Sequence, residues 1–121
     1  MFGLRAIKDT GEHAASYYAA TMNEAIAYPM LTERLSCDVV VVGGGFSGVN
    51  TAVELSERGL DVVLLEANRI GWGATGRNGG QIIGGIGHTP ERFKKSIGES
   101  GINAIYQMGV EARDIIKDRV A

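Results

Sequence analysis

Cysteine is almost absent from this chain of 121 residues, which contains only Cys37. A single cysteine excludes a disulfide within the chain, and we interpret Cys37 as a small apolar side chain at the head of a strand. No group of histidine, cysteine and acidic residues has metal-ligand spacing, so the sequence predicts no metal site.

An excess of charge of one sign and long hydrophobic runs are also missing. The net charge is −2 at pH 7, which argues against nucleic acid or an anionic membrane as the main partner. No apolar run approaches the ~20 residues of a membrane span. Lys8, Asp9 and Glu12 interrupt any apolar core that a secretory signal would need near the N-terminus. These absences predict a cytoplasmic location.

Glycine, in contrast, is plentiful, and its first cluster follows the β-branched run Val39–Val42. Such a run is typical of a parallel strand that is buried on both faces. Gly43, Gly45 and Gly48 then have the spacing in which glycines allow a tight turn, a close approach to a diphosphate and close helix packing. A helix that begins near Phe46 would direct its unpaired amides and positive dipole end at that anion.

The segment after this helix completes a strand–helix–strand pattern. The helix is predicted to end at Gly59, and Asp61–Leu65 is predicted to be the second strand. Glu66 follows it, 18 residues after Gly48. A carboxylate at this place accepts ribose hydroxyls and repels a 2′-phosphate, so the site should select FAD or NAD over NADP. This context favours a dinucleotide site over a glycine-rich turn of another α/β unit.

A second glycine-rich stretch lies between Gly71 and Gly87 and contains eight of the 18 glycines. Polar and aromatic side chains are interspersed with them, and Arg77 with Asn78 is suited to holding a phosphate or a polar ring edge. The alternative interpretation is a flexible linker. The pattern also predicts a short strand at Gln81–Ile83.

The remaining segments favour packing rather than chemistry. Ala14–Ala27 is predicted to be a short helix whose Tyr17 and Tyr18 belong to a core or interface, with a substrate channel as the alternative. Thr89 and Pro90 predict the start of a helix that ends near Gly98, followed by an amphipathic scaffold helix. His88 has no identifiable partner acid or nucleophile, so we interpret it as solvated.

Four stretches carry a family resemblance: Ser16–Thr21, Gly43–Gly48, Leu65–Ala67 and Ile70–Gly80. Together they resemble the N-terminal part of the D-amino-acid oxidase-like FAD-dependent oxidoreductases, and within these they look most like the gamma-glutamylputrescine oxidase branch. The resemblance implies FAD as cofactor and oxidation of the C–N bond of an amine or amino acid by hydride transfer to the flavin. Some relatives attach the flavin through a histidine, and because Trp72 to Gly80 contains none, we expect non-covalent FAD.

The resemblance and the motifs together give a set of candidate residues. No catalytic residue is assigned. The predicted cofactor-binding residues are Gly43, Gly45, Phe46, Ser47 and Gly48 for the pyrophosphate, Glu66 and Ala67 for the adenosine ribose, and Thr75, Arg77, Asn78, Gly79 and Gly80 for the region from the pyrophosphate to the flavin. The small-molecule substrate is predicted to be an amine or amino acid, but the sequence does not name it.

The chain is shorter than members of that family, and a doubly wound sheet has about five or six strands. We therefore predict a Rossmann-like βαβ unit in an incomplete doubly wound sheet. The predicted organisation is a lead-in and packing helix over residues 1–36, the FAD-binding unit over 37–88 and a helical segment over 89–121. Uncovered sheet edges predict self-association or a completing partner chain.

Two other functions stay open at this point. One is a non-catalytic nucleotide-binding or interaction module, and the other is a fragment of an NAD-dependent dehydrogenase. The second glycine-rich stretch favours FAD over NAD, because a nicotinamide enzyme has no need for another glycine-rich loop so soon after the ribose acid.

Overall fold

The computed structural model describes residues 11–24 and 26–120. These residues divide into two compact units, one ending at Asn78 and the other beginning at Gly79. Most of the predicted lead-in lies outside the described residues. The predicted domain boundaries after residues 36 and 88 stay predictions. No helix in the described part of the chain is long and apolar enough to cross a membrane.

The first unit contains a βαβ arrangement. Strand β1 (Val39–Val42) and strand β2 (Val62–Leu65) are parallel, with Val39 opposite Val62 and Val42 opposite Leu65. The connection between them is helix α2 (Phe46–Glu57), which packs against both strands. The α/β class is therefore confirmed. Within the described ranges the sheet has two strands, so the larger doubly wound sheet stays a prediction.

Local signals set the ends of α2 where the sequence predicts them. The helix begins at Phe46, with Gly45 as its N-cap residue. At the other end Gly59 has a φ of +84°. The Gly59 N–H donates to the Ser56 carbonyl at 2.9 Å and the Leu60 N–H to the Leu55 carbonyl at 3.2 Å. This pair of bonds is the Schellman motif, so the predicted glycine stop is confirmed.

One face of β1 is open, which corrects the prediction of a strand buried on both faces. Val39 and Val41 are half-buried, whereas Val40 is 53% exposed and Val42 is 83% exposed. Helix α2 covers the Val41 side, because a Cβ atom added to Gly48 would lie 3.4 Å from Val41 Cγ1. No described residue buries the other face to the same extent.

Helix α1 is shorter than the alanine-rich pattern predicts, since it spans only Tyr17–Thr21. Ser16 caps its start, with its hydroxyl oxygen accepting the Ala19 N–H at 3.2 Å. Thr21 donates its hydroxyl to the Tyr17 carbonyl at 2.9 Å, and the next residue, Met22, is extended. An isolated helix of this length gains too little from its own bonds to continue without tertiary packing.

The second unit is largely helical. After the irregular segment 79–89, a 3₁₀ turn at Pro90–Phe93 leads into helix α3 (Lys94–Val120). The predicted break is confirmed at Gly98, where φ is 66° and ψ is −176°. The predicted strand at Gln81–Ile83 is wrong. Those residues have no strand partner, and a strand without one leaves its backbone groups unpaired.

The second unit buries little apolar surface. Ile102, at 4% exposure, is the one apolar side chain of the described residues classed as buried core. The predicted scaffold stripe on α3 stays on the surface, with Met108 at 61% and Val120 at 81% exposure. A close backbone approach adds to this small core, because a Cβ atom on Gly109 would lie 2.9 Å from the Gly85 nitrogen.

Candidate functional site

The turn between β1 and α2 is shaped by what its glycines leave out. A Cβ atom at Gly48 would lie 1.8 Å from the Gly43 carbonyl oxygen, so the helix can approach the turn only without a side chain there. Gly43 has a φ of +105° and faces open space. At Gly45 an added Cβ atom would meet only Thr75 Oγ1, at 3.2 Å. The turn therefore presents bare backbone at the start of α2.

Gly44 is a site residue that the sequence reasoning missed. It is buried, and an added Cβ atom would lie 2.6 Å from Ile70 Cδ1. Its N–H donates to Glu66 Oε2 at 2.6 Å, and its carbonyl accepts the Gly71 N–H at 2.8 Å. A third glycine at the variable position of the motif was the available signal. Gly44 thus joins the turn to both the acid and the second glycine-rich stretch.

Glu66 lies directly after β2, as predicted, and its carboxylate is held by the backbone. Besides the Gly44 bond, its Oε1 accepts the Asn68 N–H at 3.0 Å. Bonds from the Gly44 and Asn68 amides lower the pKa of the Glu66 carboxyl below its ordinary value. The carboxylate is therefore ionised at neutral pH. Each of its oxygens has a further lone pair with which to accept a ligand hydroxyl.

The second glycine-rich stretch reaches the start of α2. A 3₁₀ turn at Ala74–Gly76 places Thr75 so that its Oγ1 accepts the Phe46 N–H at 3.0 Å. Because this N–H belongs to the first turn of α2, it has no partner within the helix. The flexible-linker interpretation is wrong for residues 71–78, which are joined to the βαβ unit by defined bonds.

Arg77 and Asn78 brace this loop. The Arg77 guanidinium carbon lies 4.4 Å from the centroid of the Trp72 ring, and Arg77 Nε donates to the Trp72 carbonyl at 3.0 Å. Asn78 Nδ2 donates to the carbonyls of Ala74 at 3.2 Å and Thr75 at 2.6 Å. Both side chains thus support the turn that carries Thr75. Ser47 and Ala67 are exposed, and Gly79 and Gly80 belong to the second unit.

An N-terminal residue also contacts the loop. Glu12 accepts two bonds from Arg69, and its carbonyl oxygen accepts the Trp72 Nε1–H at 2.7 Å. Sequence reasoning assigned Glu12 no role, because it lies in an unpatterned segment far along the chain from its partners.

A cavity of about 730 Å³ lies in the first unit, between the N-terminal segment and the loop. Its lining includes Tyr18, Met22, Tyr28 and Ile70. Tyr18 is 45% exposed and Tyr17 is 76% exposed, so neither ring is buried in a core among the described residues.

The arrangement fits a dinucleotide. Bare backbone at Gly43 and Gly45, first-turn amides of α2 and an ionised Glu66 provide, in order, space, donors for a diphosphate and an acceptor for ribose hydroxyls. Thr75 adds a hydroxyl beside Gly45. The structure does not assign these groups to one cofactor by geometry alone.

The family assignment decides between the candidates. Residues 38–121 match the model of the family described as FAD dependent oxidoreductase. The chain belongs to this family. Its cofactor is accordingly FAD, and the resemblance predicted from the glycine stretches is confirmed.

Individual relatives agree. The chain is 44% identical over 109 residues to gamma-glutamylputrescine oxidoreductase of Escherichia coli strain K12, which covers 90% of this chain and 26% of the relative. It is 40% identical over 109 residues to the probable oxidoreductase OrdL of Haemophilus influenzae, covering 90% of the chain and 25% of the relative.

A more distant match is one component of the anaerobic glycerol-3-phosphate dehydrogenase of Escherichia coli strain K12, which is 46% identical over 70 residues. That match covers 58% of this chain and 12% of the relative. No solved structure matches the chain. The chain thus spans about a quarter of the length of the first two relatives.

Proposed function

We propose that this chain is the N-terminal FAD-binding part of an oxidoreductase that oxidises the C–N bond of an amine or amino acid. The observation that carries the proposal is the bond from the Phe46 N–H to Thr75 Oγ1, which brings the two glycine-rich stretches together at the start of α2. The printed name of the 44% identical relative supports an amine as substrate.

The backbone of the turn and of α2 has the main part in binding. The first-turn amides and the positive dipole end of the helix stabilise a diphosphate, and Gly45 keeps its approach free of side chains. Glu66 accepts ribose hydroxyls through the lone pairs that its backbone bonds leave. Its negative charge disfavours a 2′-phosphate, so the site rejects NADP. FAD, when bound, supplies the acceptor for the electrons that leave the C–N bond.

Thr75 connects the two glycine-rich stretches chemically as well as spatially. Its Oγ1 accepts the Phe46 N–H, and its own hydroxyl proton is available to donate to a phosphate oxygen. Arg77, held over the Trp72 ring, adds positive charge to the same loop. We therefore assign this loop the region from the diphosphate toward the flavin.

A binding experiment tests the cofactor assignment. Purified chain is titrated with FAD, ADP and NADP, and binding is followed by flavin fluorescence and by the emission of Trp72, the one tryptophan of the chain. We expect weak binding of FAD and no binding of NADP. Equal affinity for ADP and FAD would favour the alternative of a non-catalytic nucleotide-binding module.

A chimera tests the reaction. This chain replaces the matching N-terminal quarter of the Escherichia coli gamma-glutamylputrescine oxidoreductase, and turnover is measured with gamma-glutamylputrescine, glycine and sarcosine. Turnover of an amine supports the proposal. A chimera that folds and binds FAD but oxidises none of these amines contradicts it.

The chain by itself should not oxidise amines. Hydride transfer requires a substrate held within about 3–3.5 Å of the reacting flavin atom, and the proposal assigns no residue of this chain to that task. The exposed Val40 and Val42 on β1 and the α3 stripe should make it self-associate or bind a completing chain. Turnover well above that of free flavin, or a strictly monomeric state in sedimentation, would show this proposal to be wrong.

A further inference from the structure

The N-terminal segment forms a bridge to the cofactor loop through one residue. Glu12 Oε2 accepts Arg69 Nε at 2.9 Å, and Glu12 Oε1 accepts Arg69 Nη2 at 2.6 Å. These parallel bonds make the two-pronged geometry in which a guanidinium and a carboxylate fix each other's orientation. The carbonyl of the same residue accepts the Trp72 Nε1–H at 2.7 Å. Glu12 therefore holds two residues of the loop at once.

Both held residues are linked to the rest of the loop. The Trp72 N–H donates to the Arg69 carbonyl at 2.9 Å, so the two partners of Glu12 belong to one turn. The Trp72 ring supports the Arg77 guanidinium at 4.4 Å, and the Trp72 carbonyl accepts Arg77 Nε at 3.0 Å. Moving the indole therefore moves the surface on which Arg77 rests.

We propose that Glu12 is a positioning residue for FAD binding, which it favours by holding Arg69 and Trp72 and thereby ordering the loop that carries Thr75 and Arg77. This inference rests on the proposed function, because it assigns Glu12 to the same cofactor site. Glu12 itself touches no cofactor group in this proposal. It acts through the loop.

A surface ion pair alone would not support such a role, since exposed pairs contribute little to stability. This pair differs in two respects. Arg69 is only 32% exposed, and the pair is joined by a main-chain bond to the indole of the loop, so the contact spans 57 residues to Arg69 and 60 to Trp72. Its effect should accordingly fall on the order of the loop rather than on the unfolding free energy of the chain.

The chain offers a matched control. Glu54 and Arg58 form an exposed pair at 2.6 Å on α2, with the same residue types and the same bond chemistry but no contact with the loop. Glu12→Gln and Glu54→Gln therefore remove the same charge from two pairs within one unit. Arg69→Gln tests the other partner, and the double variant Glu12→Gln with Arg69→Gln tests their coupling.

Two measurements are made on the full chain. The first is quenching of Trp72 fluorescence by acrylamide without FAD, which reports the exposure of the indole. The second is the Kd for FAD from flavin fluorescence, with far-UV circular dichroism as the folding check. Glu12→Gln should increase quenching and raise the Kd about two- to fivefold, the range that the loss of one ion pair allows. Glu54→Gln should change neither, and the double variant should be no worse than Arg69→Gln.

Each outcome decides the inference. Equal quenching and equal Kd in Glu12→Gln and the wild type overturn it, as does an equal loss in Glu54→Gln. A changed quenching with an unchanged Kd also overturns it, because the loop then moves without affecting FAD. If the wild type binds no FAD while Glu12→Gln still exposes Trp72, the proposed function fails and the ordering of the loop by Glu12 stands.

Discussion

The two units of the chain are stabilised in different ways. In the first, hydrogen bonds between distant segments fix a turn, an acid and a loop around the start of α2, as in the contacts of Glu66 with Gly44 and of Thr75 with Phe46. In the second, a long helix buries Ile102 and leaves most of its apolar stripe exposed. Directed backbone bonds therefore organise the candidate site in the first unit, whereas the second unit is organised by local helix formation.

The largest effect is expected where the first unit has no space for a side chain. Gly48→Ala would place a Cβ atom 1.8 Å from the Gly43 carbonyl oxygen, so α2 must move away from the turn. We expect a loss of about 3 kcal/mol or more in unfolding free energy, with loss of FAD binding. Urea denaturation followed by circular dichroism measures it. Thr51→Ala, at an exposed position of the same helix, is the control and should be nearly neutral.

Gly45→Val should separate binding from folding within that unit. Gly45 has extended backbone angles that valine tolerates, and its nearest neighbour, Thr75 Oγ1, lies 3.2 Å from an added Cβ atom. We expect FAD binding to fall below detection while the circular dichroism spectrum is retained, because the new side chain occupies the approach to the first-turn amides. A folded variant that retains its FAD affinity would remove Gly45 from the site.

The second unit should respond to the loss of packing rather than of a bond. Ile102→Ala should cost about 2–4 kcal/mol of unfolding free energy, the usual range for a buried isoleucine. The control Ile116→Ala, at a position that is 39% exposed, should cost less than about 0.5 kcal/mol. Equal losses in the two variants would show that the helix is packed differently from the structure. FAD affinity should be unchanged in both.

Glu66→Ala gives the smallest expected effect and tests the acid at the end of β2. We expect FAD affinity to weaken by about 1–3 kcal/mol, the scale of hydrogen bonds to a charged group. Flavin fluorescence titration measures it, and Glu57→Ala on the exposed side of α2 is the matched control. Equal FAD affinity in Glu66→Ala and the wild type would remove the carboxylate from the ribose site.

The same residue gives the first unit a pH dependence. Folding lowers the pKa of Glu66, so its contribution to stability is complete above the pKa of the unfolded chain. The contribution is lost as the pH falls through the lower pKa of the folded state. Urea titrations at neutral and acidic pH should therefore show a larger loss of stability in the wild type than in Glu66→Gln. Parallel curves would contradict the bonds from Gly44 and Asn68.

The sequence predicts the βαβ unit well because its signals are local. The valine run, the glycine turn, the helix start at Phe46 and the stop at Gly59 each depend on residues close along the chain. The break at Gly98 is predictable for the same reason. The strand expected at Gln81–Ile83 and the long form of α1 fail because each depends on a partner that the pattern does not specify.

Several candidate residues are placed by the structure in roles that spacing does not reveal. Arg77 and Asn78 were predicted to contact the cofactor, and in the structure they brace their own loop. Whether they also contact FAD stays a prediction. Gly44 and Glu12 were missed because their importance comes from contacts with residues distant in the chain.

The sequence by itself determined the α/β class, the dinucleotide turn, the acid after β2 and the family, since all of these are written in short stretches with fixed spacing. Only the tertiary structure decided which glycine pins the acid, that Thr75 caps α2 and that Glu12 reaches the loop. The physical reason is that local backbone preferences follow from neighbouring residues, whereas a hydrogen bond across dozens of residues exists only when the folded chain brings its donor and acceptor together.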